Sequence, residues 1–311
     1  MKRSKFWFRV GIVTTVIFIL IIVGIFVERF NETPKQNSKA DQQTISKQDS
    51  SKKKEEVTYP LKVTFVKEPS LDVLSAYLVD AESNKILYSK KPDATFFPAS
   101  TTKLMTVLVA LDYYKPGEII EVPKIFVEGT KLGLVPKAQF SLEELVKAAL
   151  IASANDAAEV IAQGGKINYE QFIDSMNKKA QHLGMKDTHF TNPTGLHDQN
   201  HYSTARDLVI LAREAMKNKL IATVVSQKKA VVTSVDGTYT YRVVNTNELL
   251  GKLGVNGIKT GTTKEAGQVL IISSGSGKKH IIGTVLSSKD RFSDMKKLIS
   301  YVFTNYSWDV R

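Results

Sequence analysis

The 311-residue sequence contains no cysteine. Disulfide bonds, metal sites built on thiolates and cysteine nucleophiles are therefore excluded, and stability cannot depend on the redox state of the compartment. Phosphate-binding loops are missing as well. Neither "GSGKK" nor "GTKLG" fits G-x-x-x-x-G-K-[ST] or G-x-G-x-x-G between a strand and a helix, so both are predicted to be turns.

The N-terminal segment predicts a membrane anchor. "MKRSKFWFR" is basic, and the uncharged apolar run "VGIVTTVIFILIIVGIFV" at residues 10–27 is long enough to span a bilayer. The run ends at "VERFNETP" without the A-x-A pattern of a secretory cleavage site. We expect residues 1–9 to stay in the cytoplasm and everything after Glu28 to lie outside. A cleaved signal peptide is the alternative.

Large apolar residues are almost absent from "NETPKQNSKADQQTISKQDSSKKKEE". Such a stretch cannot offset its conformational entropy by burial, which predicts a disordered linker over residues 28–58 and a folded domain over residues 59–311. The formal net charge of +12 at pH 7 favours binding to an anionic surface, such as wall polymers or phospholipid head groups. A soluble basic domain without such a partner is the alternative. Nucleic acid is not an expected partner.

Apolar periodicity places strands at both ends of the folded part and helices in its middle. "SAYLVDAESNKILYSK" predicts a hairpin at the outside of a sheet, and "VNGIKTGTT", "GQVLIISSG" and "KHIIGTVLSS" predict three successive strands before a last helix. The central helices carry Ser141 and Glu144 in capping-box spacing, Gly184 as a terminator and Ser203 as an N-cap. We therefore expect an α+β fold, with one antiparallel sheet flanked by helices and a helical subdomain.

A lysine stands where the stretch "FFPASTTKLMTVLVALDYY" enters the core. Ser100 and Lys103 are three residues apart, which places them on one face of a helix, about one turn from each other. An amine in apolar surroundings loses its proton more readily and can then accept the proton of a serine. The alternative is a serine N-cap beside a lysine whose head reaches solvent.

Two further motifs follow in order: "SAN", with Ser153 and Asn155, and "KTG", with Lys259, Thr260 and Gly261. S-x-x-K with S-D-N and K-T-G is the signature of penicillin-binding proteins and class A β-lactamases, and the chain resembles that superfamily. With "TNPTGLHDQNHYSTARDLVILA" and "GIKTGTTKEAGQVLI", it is similar to the serine D-alanyl-D-alanine carboxypeptidases, the low-molecular-mass penicillin-binding proteins. The resemblance covers residues 71–306.

This resemblance implies a β-lactamase/DD-peptidase-like fold and an acyl-enzyme on Ser100, with Lys103 as the base. If the fold brings Lys259 close, repulsion between the two ammonium groups lowers the pKa of Lys103, and burial acts in the same direction. Ser153 is implied in the proton relay between the lysines and the leaving amine. Asn155 is implied as a hydrogen-bonding partner of the substrate amide.

The resemblance also implies how the substrate is held. The backbone N–H groups of Ser100 and Thr262 form an oxyanion hole, and Gly261 leaves room for the substrate backbone. The carboxylate of a terminal D-alanine is expected to bind Lys259, the Thr260 hydroxyl and Arg206, for which a salt bridge on the helix surface is the alternative.

Three nearby residues stand outside this scheme. Asn256 replaces the aspartate usual in the family three residues before the KTG lysine. His197 and His201 have no necessary role when lysine is the base, and we expect them to support loop structure.

The implied function is a membrane-anchored carboxypeptidase that removes the terminal D-alanine from peptidoglycan stem pentapeptides, binds β-lactams covalently and requires no metal or organic cofactor. A class A-like β-lactamase is one alternative, although no E-x-x-x-N pattern follows Ser153. Transfer of the acyl group to an amine, as in a transpeptidase, is another. A non-catalytic penicillin-sensing or wall-binding module is the third.

Overall fold

The computed structural model describes residues 60–308. The predicted anchor at residues 10–27 lies outside this range, and so does the predicted linker at residues 28–58. Among the residues described, no helix combines the length and the apolar character needed to cross a bilayer.

The long strands at both ends and the helices between them follow the predicted order, and several short strands and a hairpin at residues 229–244 were not predicted. In chain order the strands are β1 (Leu61–Lys62), β2 (Val73–Asp80), β3 (Ile86–Lys90), β4 (Thr95–Phe96), β5 (Ile119–Glu121), β6 (Gln139–Ser141), β7 (Ser203–Thr204), β8 (Lys229–Thr233), β9 (Thr240–Val244), β10 (Val255–Thr263), β11 (Gly267–Ser276), β12 (Lys279–Ser288) and β13 (Tyr306–Ser307). A 3-10 helix (Ala99–Thr102) precedes the α-helices, which are α1 (Lys103–Tyr113), α2 (Leu142–Leu150), α3 (Asn155–Ala162), α4 (Tyr169–Leu183), α5 (Ala205–Lys217), α6 (Lys219–Val225) and α7 (Arg291–Asn305).

One five-stranded antiparallel sheet joins the two ends of this region, in the order β10-β11-β12-β2-β3. The N-terminal hairpin therefore forms one side of the sheet, where β2 pairs with β12 and Val79 lies opposite Ile282. The predicted hairpin, the three C-terminal strands and the antiparallel sheet are confirmed. Strand β10 is left at the opposite edge, with one side open to other parts of the chain.

Helices cover both faces of the sheet. On one face Leu78 belongs to a core with Leu298 and Val302 of α7, and on the other face Tyr77 and Val79 belong to the larger core of the central helices. Six consecutive residues are buried in each of β11 and β12. This two-sided burial explains why both strands appear in the sequence as continuous apolar runs rather than as alternating patterns.

The helix ends agree with the sequence in most respects. Helix α4 ends at Gly184, whose φ of 79° is the left-handed conformation expected of a terminating glycine. Helix α5 begins one residue later than predicted. Its N-cap is Thr204, whose hydroxyl accepts from the backbone N–H of Asp207, while the hydroxyl of Ser203 instead bonds to Thr188.

The predicted capping box of α2 is only half formed. The Ser141 hydroxyl accepts from the backbone N–H of Glu144 at 3.3 Å. The Glu144 carboxylate does not return to the cap, because it accepts from Lys147 and from the backbone N–H of Thr233 on β8. The glutamate thus ties α2 to the β8–β9 hairpin.

Candidate active site

The serine and lysine that open the first helix lie in two different helical segments. Ser100 is within the 3-10 helix that precedes α1, and Lys103 is the first residue of α1. Lys103 is fully buried, with 0% of its surface exposed. Its ammonium group therefore does not reach solvent, which excludes the snorkelling alternative.

The turn that carries Ser100 is held by close backbone packing. The carbonyl of Pro98 accepts from the hydroxyl of Thr101 at 2.6 Å, and Ala99 has a φ of 48°. Gly195 of the "TNPTG" segment lies against this turn with a φ of 80°, and a Cβ at that position would be only 1.8 Å from the Ala99 carbonyl oxygen. Position 195 therefore requires glycine for both its conformation and its space.

Three oxygen atoms surround the amine of Lys103. Its Nζ lies 2.9 Å from Ser100 Oγ, 2.6 Å from Asn155 Oδ1 and 2.8 Å from the carbonyl oxygen of Thr194. The amide of Asn155 is oriented by its Nδ2, which donates to the Glu128 carbonyl at 2.7 Å. A carbonyl oxygen can only accept, so two amine hydrogens go to Asn155 and Thr194. When the amine is neutral, its lone pair faces Ser100 and accepts from the serine hydroxyl.

The electrostatic surroundings favour this neutral amine. Burial lowers the pKa of Lys103 well below its ordinary value, the charge of Lys259 lowers it further, and Glu159 and Asp156 oppose both. Both causes that lower this pKa are predicted from the sequence, and burial is the larger of the two. A neutral lysine beside a serine hydroxyl can accept the serine proton during nucleophilic attack.

A second buried lysine lies beside the "SAN" serine. Lys259, on edge strand β10, is 1% exposed, and its Nζ donates to Ser153 Oγ at 2.8 Å and to the Thr260 carbonyl at 2.9 Å. Burial, followed by the charge of Arg291, lowers the pKa of Lys259 to about 7. Ser153 lies between α2 and α3 with a φ of 61°. The three motifs thus meet at one edge of the sheet.

Gly261 allows this edge to approach the Ser100 turn. A Cβ on Gly261 would lie 3.0 Å from the backbone nitrogen of Ser100 and 3.1 Å from the Pro98 carbonyl oxygen. The absence of a side chain therefore lets β10 pack directly on the turn. Thr262 follows on the same strand, so both residues proposed for an oxyanion hole lie at this contact.

Arg206 does not join the cluster. Its Nε and Nη2 donate to the carboxylate of Asp93, and its Nη1 donates to the Tyr77 hydroxyl at 2.9 Å. These contacts correspond to the alternative of a salt bridge on the helix surface. The expectation that Arg206 helps to bind the substrate carboxylate is therefore not supported.

Arg291, which sequence analysis overlooked, is the arginine that reaches the KTG strand. Its Nη1 donates to the Gly261 carbonyl at 2.8 Å and to the Thr262 hydroxyl at 2.6 Å, and its buried Nε has no partner. Arg291 is the first residue of α7, where the helix dipole disfavours a cation. An arginine at that unfavourable position, shortly after the last strand of the sheet, is the signal that the sequence contains.

Asn256, His201 and His197, which the family resemblance leaves without a catalytic role, lie in surroundings that indicate structural roles. Asn256 is exposed where the register of β10 shifts against β11. His201 is buried, and its Nδ1 accepts from the backbone N–H of Thr191 while its Nε2 lies 2.8 Å from the Thr102 hydroxyl. Burial lowers the pKa of His201 to about 4, so the ring is neutral. His197 packs edge-on against a phenylalanine.

A cavity of about 530 Å³ opens beside the cluster. Its lining combines three carboxylates with apolar side chains and the residue that follows Thr262: Phe126, Val127, Glu128, Glu159, Leu196, His197, Thr263 and Glu265. Because Thr263 of β10 is part of this lining, the cavity continues along the strand from the cluster of Ser100, Lys103 and Lys259. Among residues 60–308, no group of three or more metal-ligating side chains is placed to hold a metal ion.

Comparison with known proteins places this geometry in a family. A family model for peptidase S11, described as D-alanyl-D-alanine carboxypeptidase, matches residues 62–290. The carboxypeptidase DacF of Bacillus subtilis is 34% identical over 253 residues, which cover 75% of this chain and 62% of DacF. The carboxypeptidase DacA of Haemophilus influenzae is 30% identical, with 78% of this chain and 64% of that protein covered.

Solved structures give the same result. The crystal structure of the Streptomyces K15 DD-transpeptidase matches with a TM-score of 0.74 and 30% identity, over 77% of this chain and all of that chain. The chain spans less than two thirds of the length of DacF and of the Haemophilus influenzae DacA. The matched range contains Ser100, Lys103, the "SAN" segment and the "KTG" strand. On this evidence the chain belongs to the peptidase S11 family of D-alanyl-D-alanine carboxypeptidases.

Proposed function

We propose that the protein is a serine-type D-alanyl-D-alanine carboxypeptidase that removes the terminal D-alanine from peptidoglycan stem pentapeptides. The observation that carries this proposal is the 2.9 Å contact between Ser100 Oγ and the fully buried Nζ of Lys103. Its pKa is lowered well below the ordinary value, so the amine is suited to act as a base. β-Lactams, which offer a similar amide carbonyl and carboxylate, are expected to acylate the same serine.

The acylation step uses both lysines. Ser100 Oγ attacks the carbonyl carbon of the penultimate D-alanine while its proton passes to Lys103 Nζ. The carbon–nitrogen bond then breaks, and the leaving amine takes a proton from the hydroxyl of Ser153. Lys259, 2.8 Å from Ser153 Oγ, replaces that proton. Lys103 then returns the proton it holds to Lys259 through the Ser153 relay, so both lysines regain their starting protonation states. In the second step water attacks the ester, the neutral Lys103 accepts a proton from the water, and Lys103 passes this proton to Ser100 Oγ as the ester bond breaks.

The terminal carboxylate is proposed to lie among Lys259, the Thr260 hydroxyl and the guanidinium group of Arg291. Arg291 takes the role first expected for Arg206, because the bonds from its Nη1 to Gly261 and Thr262 hold the guanidinium group beside the KTG strand. Two cations and one hydroxyl donor form a suitable anion site. The developing oxyanion is proposed to bind the backbone N–H groups of Ser100 and Thr262.

Asn155 is proposed to act on both the base and the substrate. Its Oδ1 accepts from Lys103, and one of the two Nδ2 hydrogens donates to Glu128. The second Nδ2 hydrogen is available for the carbonyl of a substrate amide. Asn155 thereby aligns the amine of Lys103 with the peptide that Ser100 attacks.

Water is the proposed acyl acceptor, and the names of similar proteins show that related sites cleave other bonds or use other acceptors. One similar protein is named a D-alanyl-D-alanine endopeptidase, from Escherichia coli, and a similar structure is named a DD-transpeptidase. For cellular location we propose a single-pass membrane protein, anchored by residues 10–27 with the catalytic domain on the extracytoplasmic side.

The test is release of D-alanine from a pentapeptide stem by the full-length protein. Wild type is expected to release D-alanine and to form one penicillin adduct on Ser100, and Ser100→Ala is expected to do neither. Ser226→Ala is a matched control, because Ser226 also precedes a lysine by three residues but is exposed. An adduct mapped to another residue, or release of D-alanine by Ser100→Ala, would overturn the proposal.

A further inference from the structure

The hydroxyl group of Thr260 has a single hydrogen-bonding partner among the described residues. That partner is the hydroxyl of Thr246, at 2.5 Å, on the loop that follows β9. Thr260 is 3% exposed, so this contact lies in the interior at the edge of the proposed carboxylate site. A second hydroxyl thus stands directly behind the threonine of the "KTG" motif.

The tripeptide Asn245-Thr246-Asn247 is held firmly on both sides of the threonine. The Asn245 side chain donates to the carbonyls of Val225 and Gln227 at 3.3 and 3.0 Å, and its Oδ1 accepts from the backbone N–H of Asn247. The Asn247 side chain donates to the Gly257 carbonyl of β10 at 3.0 Å. These bonds fix the loop to α6 and to the start of the KTG strand, which sets the position of the Thr246 hydroxyl.

The same loop is connected to the "SAN" segment. The backbone N–H of Thr246 donates to the carbonyl of Ile151 at 3.3 Å, two residues before Ser153. Thr246 therefore contacts both the element that carries Lys259 and the element that carries Ser153. Its side chain lies on the Thr260 side of that junction.

Hydrogen-bond direction distinguishes Thr260 from Thr262. The Thr262 hydroxyl donates its hydrogen to the Gly261 carbonyl at 2.8 Å and accepts from Arg291, so it has no hydrogen left for a substrate. A hydroxyl carries one hydrogen, and a carboxylate can only accept. If Thr260 donates to a bound carboxylate, Thr246 must be the donor in the contact between the two threonines.

We propose that Thr246 is a positioning residue for substrate binding, which donates its hydroxyl hydrogen to Thr260 Oγ1 and so directs the Thr260 hydrogen toward the terminal carboxylate of the substrate. The ligand chemistry is an acyl-D-alanyl peptide or ester whose leaving group carries a free carboxylate. Donation from Thr246 also polarises the Thr260 hydroxyl and strengthens its bond to the anion. The inference rests on the proposed function of the same site.

The test compares two ester substrates with the same acyl group in the full-length protein. N-acyl-D-alanyl-D-lactate has a carboxylate on its leaving group, and N-acyl-D-alanine ethyl ester has none. Thr246→Val, which removes only the hydroxyl, is expected to lower kcat/KM for the lactate ester about tenfold, mainly through KM, because a hydrogen bond to a charged group is weakened. The ethyl ester is expected to change less than about twofold.

Two further variants complete the design. Thr246→Ser keeps the hydroxyl and is expected to restore the wild-type preference for the lactate ester. Thr240→Val makes the same substitution at an exposed threonine of β9 and is expected to change neither substrate. Equal losses on both esters in Thr246→Val, or no loss on either, would overturn the inference. If wild type hydrolyses neither ester and forms no adduct on Ser100, the proposed function fails, and the inference fails with it.

Discussion

Asn155 Oδ1 lies 2.6 Å from the Nζ of Lys103, the shortest of the three contacts made by that amine. The family resemblance implies a contact of Asn155 with the substrate amide, but its closest contact in the structure is with Lys103. The neutral amide of Asn155 accepts a hydrogen bond from the amine of Lys103. It stabilises the protonated amine less than a carboxylate would. The family motif thus provides an acceptor for Lys103 without adding a negative charge beside it.

Asn155→Asp tests this relationship. A carboxylate in contact with Nζ stabilises the ammonium form, so the pKa of Lys103 should rise and acylation by penicillin at pH 7 should fall by at least about tenfold. The rate should recover as the pH increases. The measurement is the second-order acylation rate as a function of pH, with Asn256→Asp as a control because Asn256 is exposed on β10. A loss that is equal at every pH would contradict the prediction.

Lys259 is expected to have two separable effects on acylation. In Lys259→Ala the repulsion on Lys103 is lost, so the pKa of Lys103 rises and the acid-side inflection of the rate profile moves to higher pH. In Lys259→His, anion binding should persist at low pH and disappear as imidazole deprotonates near its unperturbed pKa of about 6.5. Three profiles with identical inflections and different heights would show that Lys259 does not influence Lys103.

The fold was accessible from the sequence because its signals are local. Continuous apolar runs predict the two-sided strands β11 and β12. The grouping of Ser100, Ser153 and Lys259 into one site is implied instead by the family resemblance of the three motifs. The N-cap at Thr204 was missed by one residue because Ser203 and Thr204 are both good caps. Tertiary contacts decided between them.

The arginine of the proposed carboxylate site is difficult to predict from the sequence, because the two candidates lie in distant parts of the chain. Arg206 lies in a familiar family segment, but Asp93 and Tyr77 bind its guanidinium. Arg291 lies outside every quoted motif and reaches Gly261 only because α7 begins beside β10 in the folded protein. No periodicity in the sequence indicates which arginine contacts the KTG strand.

Glu159 should influence the base in the direction opposite to Lys259. This buried carboxylate lines the cavity, and its charge raises the pKa of Lys103. Glu159→Gln should therefore lower that pKa further and move the acid-side inflection of acylation to lower pH. Glu265→Gln, at an exposed position of the same cavity, serves as the control and should leave the inflection in place. An unchanged inflection in Glu159→Gln would refute this role.

Gly195→Ala should damage both stability and acylation. A Cβ 1.8 Å from the Ala99 carbonyl oxygen forces the Ser100 turn to move, in addition to the cost of a positive φ. We expect the free energy of unfolding in urea to fall by about 3 kcal/mol or more. Gly237→Ala has a similar φ of 74° but open space, and should cost only about 1 kcal/mol. Equal losses in the two variants would mean that the collision at Ala99 is unimportant.

The buried ammonium of Lys259 should make the protein less stable at neutral than at alkaline pH. Its pKa is about 7 when folded and near 10.5 when unfolded, so between these values the unfolded chain binds more protons and stability rises with pH. Below about pH 7 both states are protonated and the full cost of burial applies. Lys259→Met should remove the part of this dependence that Lys259 contributes and stabilise the protein most at pH 6.5, with an advantage that shrinks by about 3 kcal/mol by pH 9.5. Urea unfolding at several pH values measures the difference, and Lys296→Met, at an exposed position of α7, should show no such trend. Parallel stability curves for wild type and Lys259→Met would mean that Lys259 stays protonated in the folded protein across this range. The lowered pKa of Lys259 would then be wrong, and burial would not make it a better proton donor to Ser153.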